Sequence, residues 1–260
     1  MAISVNGGSQ KKILAHLDAV SVRFGEKIVM QNLSLEIVEG AITCIIGLSG
    51  AGKSTILRLL NGLHKPTEGH AFLRDIDLCH TSERKLIEIR QNIGFAFQFA
   101  ALFDSLTIGE NVALPLREHT RKSNAEITGL VTQTLESVGL AHVEDRLPSE
   151  LSGGMLKRAG FARAVITNPD LVLYDEPTTG LDPIITHLLT DTIIRLRKQL
   201  SGTVVVVSHD LQSIYLMADY IAMLFEGAII AYGTVEELKT SENPIVQQFL
   251  QGSETGPIPI

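Results

Sequence analysis

Nine consecutive residues, Gly47-Leu48-Ser49-Gly50-Ala51-Gly52-Lys53-Ser54-Thr55, fit the pattern glycine, four residues, Gly-Lys-Ser/Thr. Glycines at those positions let a loop curl until successive backbone N–H groups point inward, and a helix that follows adds its positive N-terminal end. The product is an anion cradle suited to the β-phosphate of a nucleotide. Lys53 then reaches the β- and γ-phosphates as a point charge, and the Ser54 hydroxyl is available to Mg²⁺. A second candidate is the acidic pair Asp175-Glu176. Asp175 is suited to holding Mg²⁺ directly or through water, and Glu176 to polarising the water that attacks the γ-phosphorus. Ser152-Gly153-Gly154 before an apolar segment is a second anion site of the helix N-terminal kind, with Ser152 as N-cap. One triphosphate does not need two cradles, so this site makes sense if a second copy brings its own Ser152 to the far side of the γ-phosphate.

These groups need a scaffold that delivers them to one edge. Ala41-Ile42-Thr43-Cys44-Ile45-Ile46 is an apolar strand leading into the loop, and Thr55–Leu63 reads as the helix leaving it. Leu171-Val172-Leu173-Tyr174 is a buried strand ending in Asp175-Glu176, at the strand end where ligands gather in open α/β sheets. Ile93–Phe97 is a short strand that delivers Gln98, read either as plain surface or as a Mg²⁺ ligand that orients water. Thr203–Val207 ends in Ser208-His209-Asp210, and the emergence of His209 at a strand end favours contact with the γ-phosphate over a structural role. Phe24, after the first strand Leu14–Val22, is either core or a platform on which adenine stacks.

Between Gln98 and Ile166 the pattern turns helical and strands disappear. Thr107–Leu116 is helix-like until Pro115 interrupts it. Ser123-Asn124-Ala125-Glu126 is a capping box for a helix whose apolar period runs Ile127, Leu130, Val131, Leu135, Val138 before Gly139 stops it. Asp182-Pro183 caps a long amphipathic helix. Ile221–Phe225 and Ala228–Tyr232 form a hairpin around Glu226-Gly227, and Val235–Lys239 and Pro244–Gln251 are short helices. Residues 252–260 lack periodicity and read as an extended tail. The organisation expected is one domain over residues 12–251, with a catalytic core of about 12–99 and 167–240 around a helical subdomain of about 100–166.

The chain has 260 residues, 45% hydrophobic and 20% charged, enough for a sizeable core. A formal net charge of −7 argues against phosphate-backbone binding, so no nucleic-acid partner is expected. Cys44 and Cys79 make no disulfide framework. Residues 1–12 carry no apolar signal sequence, and no apolar run approaches the ~20 residues that span a bilayer. The expectation is a cytosolic chain that reaches a membrane only through a partner.

Taken in order, the phosphate loop, Gln98, Leu151-Ser152-Gly153-Gly154, the strand ending in Asp175-Glu176, Gly180-Leu181-Asp182 and His209 resemble the ATP-binding subunit of ABC transporters over nearly the whole chain. The resemblance implies an α/β P-loop NTPase fold: a RecA-like parallel core sheet with an N-terminal antiparallel β region and an inserted α-helical subdomain. It implies an ATPase with Lys53, Glu176 and His209 catalytic, and Mg²⁺ held by Ser54, Gln98 and Asp175. ATP would lie against Phe24, the loop from Gly47 to Thr55 and Gln98, with Ser152, Gly153, Gly154 and Asp182 also counted in its site. Two copies would sandwich two ATP molecules head to tail, and the helical subdomain would dock on an integral-membrane permease, with residues from Gln98 to Leu106 at the permease groove. The stretches Phe97–Thr107 and Asn111–Glu118, and Met155 where most ABC proteins carry glutamine, are similar to the Mla-type subgroup of phospholipid transporters. That likeness implies an MCE-domain lipid-binding protein and a small STAS-domain protein as further partners. It also implies a place at the cytoplasmic side of a bacterial inner membrane. A nutrient importer and a soluble ABC ATPase are the competing readings. Met155 and Phe24 depart from the commoner glutamine and tyrosine, so the first packs rather than hydrogen-bonds and the second stacks without a hydroxyl.

Overall fold

Runs of β-branched residues and the glycine-punctuated turns between them produce two compact units, residues 1–86 with 205–260 and residues 87–204. The computed structural model describes residues 11–259. Most of the stretch read as lacking a signal sequence, residues 1–10, lies outside the described residues.

In the first unit, β1 (Ile13–Phe24) pairs antiparallel with β2 (Lys27–Val38) and with β4 (Glu68–Leu73), which continues to β5 (Ile76–Asp77). Apolar residues at alternate positions put Leu33, Leu35 and Ile37 of β2 inward. Behind this sheet lies β3 (Ile42–Gly47), buried along all six residues, as a parallel strand covered on both faces must be. β9 (Tyr220–Phe225) runs parallel to β3 with Gly47 opposite Leu224, and β10 (Ala228–Gly233) returns antiparallel to β9. The connecting turn, Glu226-Gly227, has positive φ at both residues, the hand that suits a two-residue hairpin. β8 (Thr203–Val207) neighbours β3, and beyond its end the Ser208 N–H donates to Ile45 O at 3.3 Å. α1 (Lys53–Leu60) leaves the loop after β3 and buries Ile56, Leu57, Leu59 and Leu60.

Residues 252–259 fold back on this unit rather than extending. Gln248, in α9 (Pro244–Gln251), accepts the Ile258 N–H at 2.6 Å and donates to Ile258 O at 3.3 Å, imitating a strand partner. Ile258 is only 7% exposed. The extended tail expected over residues 252–260 is thus, as far as residue 259, folded onto the chain itself, with Ile258 buried.

In the second unit, β6 (Ile93–Ala96) pairs parallel with β7 (Leu171–Asp175), and no strand intervenes among the described residues between them. That interval holds α3 (Ile108–His119), α4 (Asn124–Ser137) and α5 (Gly153–Val165), and α6 (Pro183–Leu200) follows β7. Ser123 and Glu126 close a capping box on α4, and Asp182 and Pro183 begin α6 as their types require. Pro115 does not interrupt α3, which continues to His119. Proline removes one backbone donor, but the burial of Asn111, Val112, Ala113 and Leu116 holds the helix through it.

Asn111 explains why the segment after β6 is ordered without secondary structure. Fully buried, its side chain accepts the Phe103 N–H at 2.7 Å and donates to Phe103 O, Leu106 O and Thr107 O at 3.0–3.1 Å. Asn111→Ala strips these backbone groups of their partner, and unsatisfied buried groups cost about 1–3 kcal/mol each. The expected loss is about 3 kcal/mol of stability, read as a lower denaturant midpoint with an unchanged slope. A midpoint close to that of the parent would show that the loop does not depend on this residue.

Candidate functional site

The first unit contributes the anion cradle. At Gly47 the chain turns out of β3 with φ +148°, and a Cβ there would lie 2.2 Å from Leu224 O, so only glycine fits between β3 and β9. Gly52 sits at the N-cap of α1 with φ +102° and offers no side chain to close the helix start. No acidic residue stands in the first turn of α1 to repel an anion drawn to the positive end of the helix. Lys53 is 7% exposed, and its ammonium lies within the curl of the loop, donating to Gly47 O at 2.9 Å and Leu48 O at 3.1 Å. A charge held among backbone dipoles is placed for a polyphosphate, and the cradle fits one. Phe24 closes β1, half exposed, with its ring centroid 5.0 Å from that of His64. A ring open to that degree is not core.

His209 emerges from the end of β8 beside the same loop. With Leu48, Leu211, Phe249, Ser253 and Ile258 it lines a cavity of about 330 Å³. A smaller one of about 210 Å³ lies against Leu48–Ala51, with Glu226 and Pro259 on its other wall. The chain's last described residues therefore border the cradle.

The second unit contributes the acidic edge. Because Ala96 pairs with Tyr174, Gln98 and Glu176 leave their parallel strands side by side, each two residues beyond the paired position. Asp175 ends β7 and is buried. Glu176 takes a left-handed backbone, φ +49°, which non-glycine residues adopt only when surroundings enforce it. The enforcing groups are visible. Thr179 Oγ1 donates to Glu176 Oε2 at 2.9 Å, and Lys157 Nζ donates to Thr179 O at 2.5 Å and Glu176 O at 3.5 Å. Burial pushes the Lys157 pKa down, and the negative charge of Glu176 opposes that shift.

Ser152 caps α5, accepting the Met155 N–H at 3.4 Å. A Cβ on Gly154 would stand 3.0 Å from Ile185 Cγ2, so glycine here lets α5 pack closely on α6. Asp182 Oδ1 accepts both the Ile184 and Ile185 N–H at 3.0 Å, and one carboxylate oxygen is thus committed to the start of α6. Further along α5, Arg163 donates to Ala100 O at 2.7 Å and Ala101 O at 2.8 Å, fixing two residues in left-handed conformation just past Gln98. Beside them a groove of about 420 Å³ runs past Phe95, Phe97, Phe103 and Leu114, and Phe99 nearby is 87% exposed.

The sequence-derived site residues therefore fall into two sets. Phe24, the loop from Gly47 to Thr55 and His209 come together in the first unit. Gln98, Ser152–Gly154, Asp175, Glu176 and Asp182 belong to the second. Of the groups expected at Mg²⁺, the Ser54 hydroxyl belongs to the first unit and the Gln98 amide oxygen and Asp175 carboxylate to the second; each is an oxygen donor, the type a hard ion takes. Sequence reading missed Thr179, Lys157, Arg163 and Asn111, which hold the site rather than form it. A hydroxyl three residues after Glu176 was the one visible hint; the cations and the asparagine carry no spacing signal.

The sequence profile of the family described as ABC transporter matches residues 30–179. The intermembrane phospholipid transport system ATP-binding protein MlaF of Haemophilus influenzae is 40% identical, over 94% of this chain and 93% of its own length. A probable ribonucleotide transport ATP-binding protein, mkl, of Mycobacterium leprae is 38% identical over 99% of this chain and 74% of its own. Among solved structures, a dimeric ATP-binding cassette in a post-hydrolysis state with ADP and Pi superposes with a TM-score of 0.80. It is 33% identical and covers 85% of this chain and 98% of its own.

Proposed function

The chain belongs to the ABC transporter family, and from that premise we propose that it drives transfer of phospholipid between the inner and outer membranes of a bacterium. It is the ATP-binding subunit of a transporter and an ATPase, with the α/β fold of P-loop NTPases. The observation that favours phospholipid as cargo is the 40% identity to MlaF, extending over both chains almost end to end. The mkl relative, named for ribonucleotide transport, supplies the second reading.

On this reading the loop from Gly47 to Thr55 holds the β- and γ-phosphates, with Lys53 neutralising their charge and Phe24 under the base. Bound ATP with Mg²⁺ supplies the phosphoanhydride that is cleaved, and Ser54, Gln98 and Asp175 would hold the ion. Glu176 accepts the proton of the attacking water, its carboxylate steadied by the Thr179 hydroxyl. His209 contacts the γ-phosphate end. The partner's Ser152 closes the far side, so that each triphosphate joins two subunits and the dimer shuts only when loaded. The groove beside Phe97 and Phe103 is suited to a cytoplasmic segment of an integral-membrane permease, and the likeness to MlaF supports a peripheral position at the inner membrane. An MCE-domain lipid-binding protein and a STAS-domain protein complete the assembly.

Purification of the chain from its native membranes in mild detergent, with the bound subunits and lipids identified by mass spectrometry, tests the cargo. An MCE-domain partner and co-purified phospholipid are expected. A periplasmic solute-binding protein in their place would turn the reading to a nutrient importer.

A further inference from the structure

We propose that His70, Asp77 and His80 form a binding site for one divalent transition-metal ion, with zinc as the fitting member. All three lie on the β4–β5 hairpin and the turn that follows it. Phe72 of β4 is opposite Asp77 of β5, so His70, two residues from Phe72, projects on the same face as Asp77. His80 comes back over that face from the turn.

Their ligating atoms converge. Asp77 Oδ2 is 2.9 Å from His70 Nδ1 and 2.7 Å from His80 Nδ1, and all three atoms lie within 4.8 Å of one another. The imidazole centroids are 5.4 Å apart. The carboxylate is held from behind, because Oδ1 accepts the Cys79 N–H at 2.8 Å while the Thr81 hydroxyl bonds Asp77 O at 2.5 Å. Backing of this sort orients a metal ligand in advance. The His70 ring is braced on Phe72, which stacks on His16 at 4.5 Å. Cys79 Sγ accepts the Ala71 N–H at 3.3 Å and belongs to the backing.

Two neutral imidazoles that both face one carboxylate oxygen through Nδ1 must each spend their single proton there. A divalent cation takes both Nδ1 lone pairs once each neutral ring carries its single proton on Nε2 instead, and it brings two positive charges to the carboxylate with no net loss of a proton from the rings. Zinc–ligand bonds of about 2.0–2.1 Å in a tetrahedron separate ligand atoms by about 3.4 Å. The present 2.7–2.9 Å thus opens by roughly half an ångström. His80 can supply that movement, since its side chain is 72% exposed and only the following turn constrains it. Two imidazoles and one carboxylate select zinc and its neighbours over magnesium, which favours oxygen alone. The site is therefore chemically distinct from the one that accompanies nucleotide, and its ion would pin the turn after β5 to β4.

The test uses the full chain without a histidine tag, freed of metal by chelator and without nucleotide. Zinc chloride is titrated calorimetrically, with Mg²⁺ in excess to occupy oxygen sites. One zinc per chain is expected. Loss of a direct ligand costs no less than loss of a backing group, so His80→Ala should weaken binding by at least on the order of 10–100-fold. His187→Ala, at another exposed histidine on α6, should bind as the parent does. Cobalt in place of zinc should give visible d–d absorption that disappears in His80→Ala. Equal zinc affinity in the parent and His80→Ala, or no stoichiometric zinc in the parent, would overturn the assignment. ATP hydrolysis preserved in His80→Ala shows that the variant is folded.

Discussion

Glu176→Gln is expected to bind ATP much as the parent does and to hydrolyse it on the order of 10²–10⁴ times more slowly. The substitution isolates charge from shape. An amide has the size of the carboxylate and can still accept the Thr179 hydroxyl, so the left-handed backbone at residue 176 keeps its support. What disappears is the base that takes a proton from water. Single-turnover hydrolysis with saturating Mg-ATP, compared with equilibrium nucleotide binding on the same preparation, separates the two effects. Turnover within about threefold of the parent would remove Glu176 from the role of base, since general-base catalysis contributes far more than that.

Lys53→Ala acts earlier, on binding itself. Charge-assisted hydrogen bonds contribute about 1.5–3 kcal/mol each. Losing the ammonium beside two phosphates should therefore weaken ATP binding by on the order of a hundredfold. Equilibrium titration with nucleotide in the absence of turnover reads this directly. Of the two carbonyls that Lys53 bonds, Leu48 O belongs to an exposed residue while Gly47 is buried at the end of β3, so the denaturant midpoint of the same preparation checks that the fold survives. An unchanged affinity would mean that the cradle holds phosphate through its backbone alone.

The loop from Gly47 to Thr55 was legible because its chemistry depends on residue types at fixed spacing, and because glycine has no substitute at φ +148° against Leu224. The strands before it and before Asp175 were legible because burial on both faces leaves mostly apolar residues, Thr43 being the polar exception in β3. Other features were hidden for physical reasons. Pro115 reads as a break, yet Asn111, Val112 and Leu116 bury enough around it to carry α3 onward. α2 (Glu83–Arg90) and α7 (Leu211–Met217) are too short to show a period, and the first is mostly charged. The tail after Gln251 lacks periodicity because Gln248, not a repeating apolar face, secures it. Lys157 and Thr179 act through backbone carbonyls and one carboxylate oxygen, contacts that no spacing encodes.

α5 carries a mechanical implication. Its first turn presents Ser152, and Arg163, about 16 Å further along the axis, grips the carbonyls of Ala100 and Ala101 beside the aromatic groove. A helix of that length transmits a push with little slack, and the guanidinium couples it to the loop through two short bonds. On the proposed reading, a displacement of the serine end would be carried along α5 to the residues that border the aromatic groove.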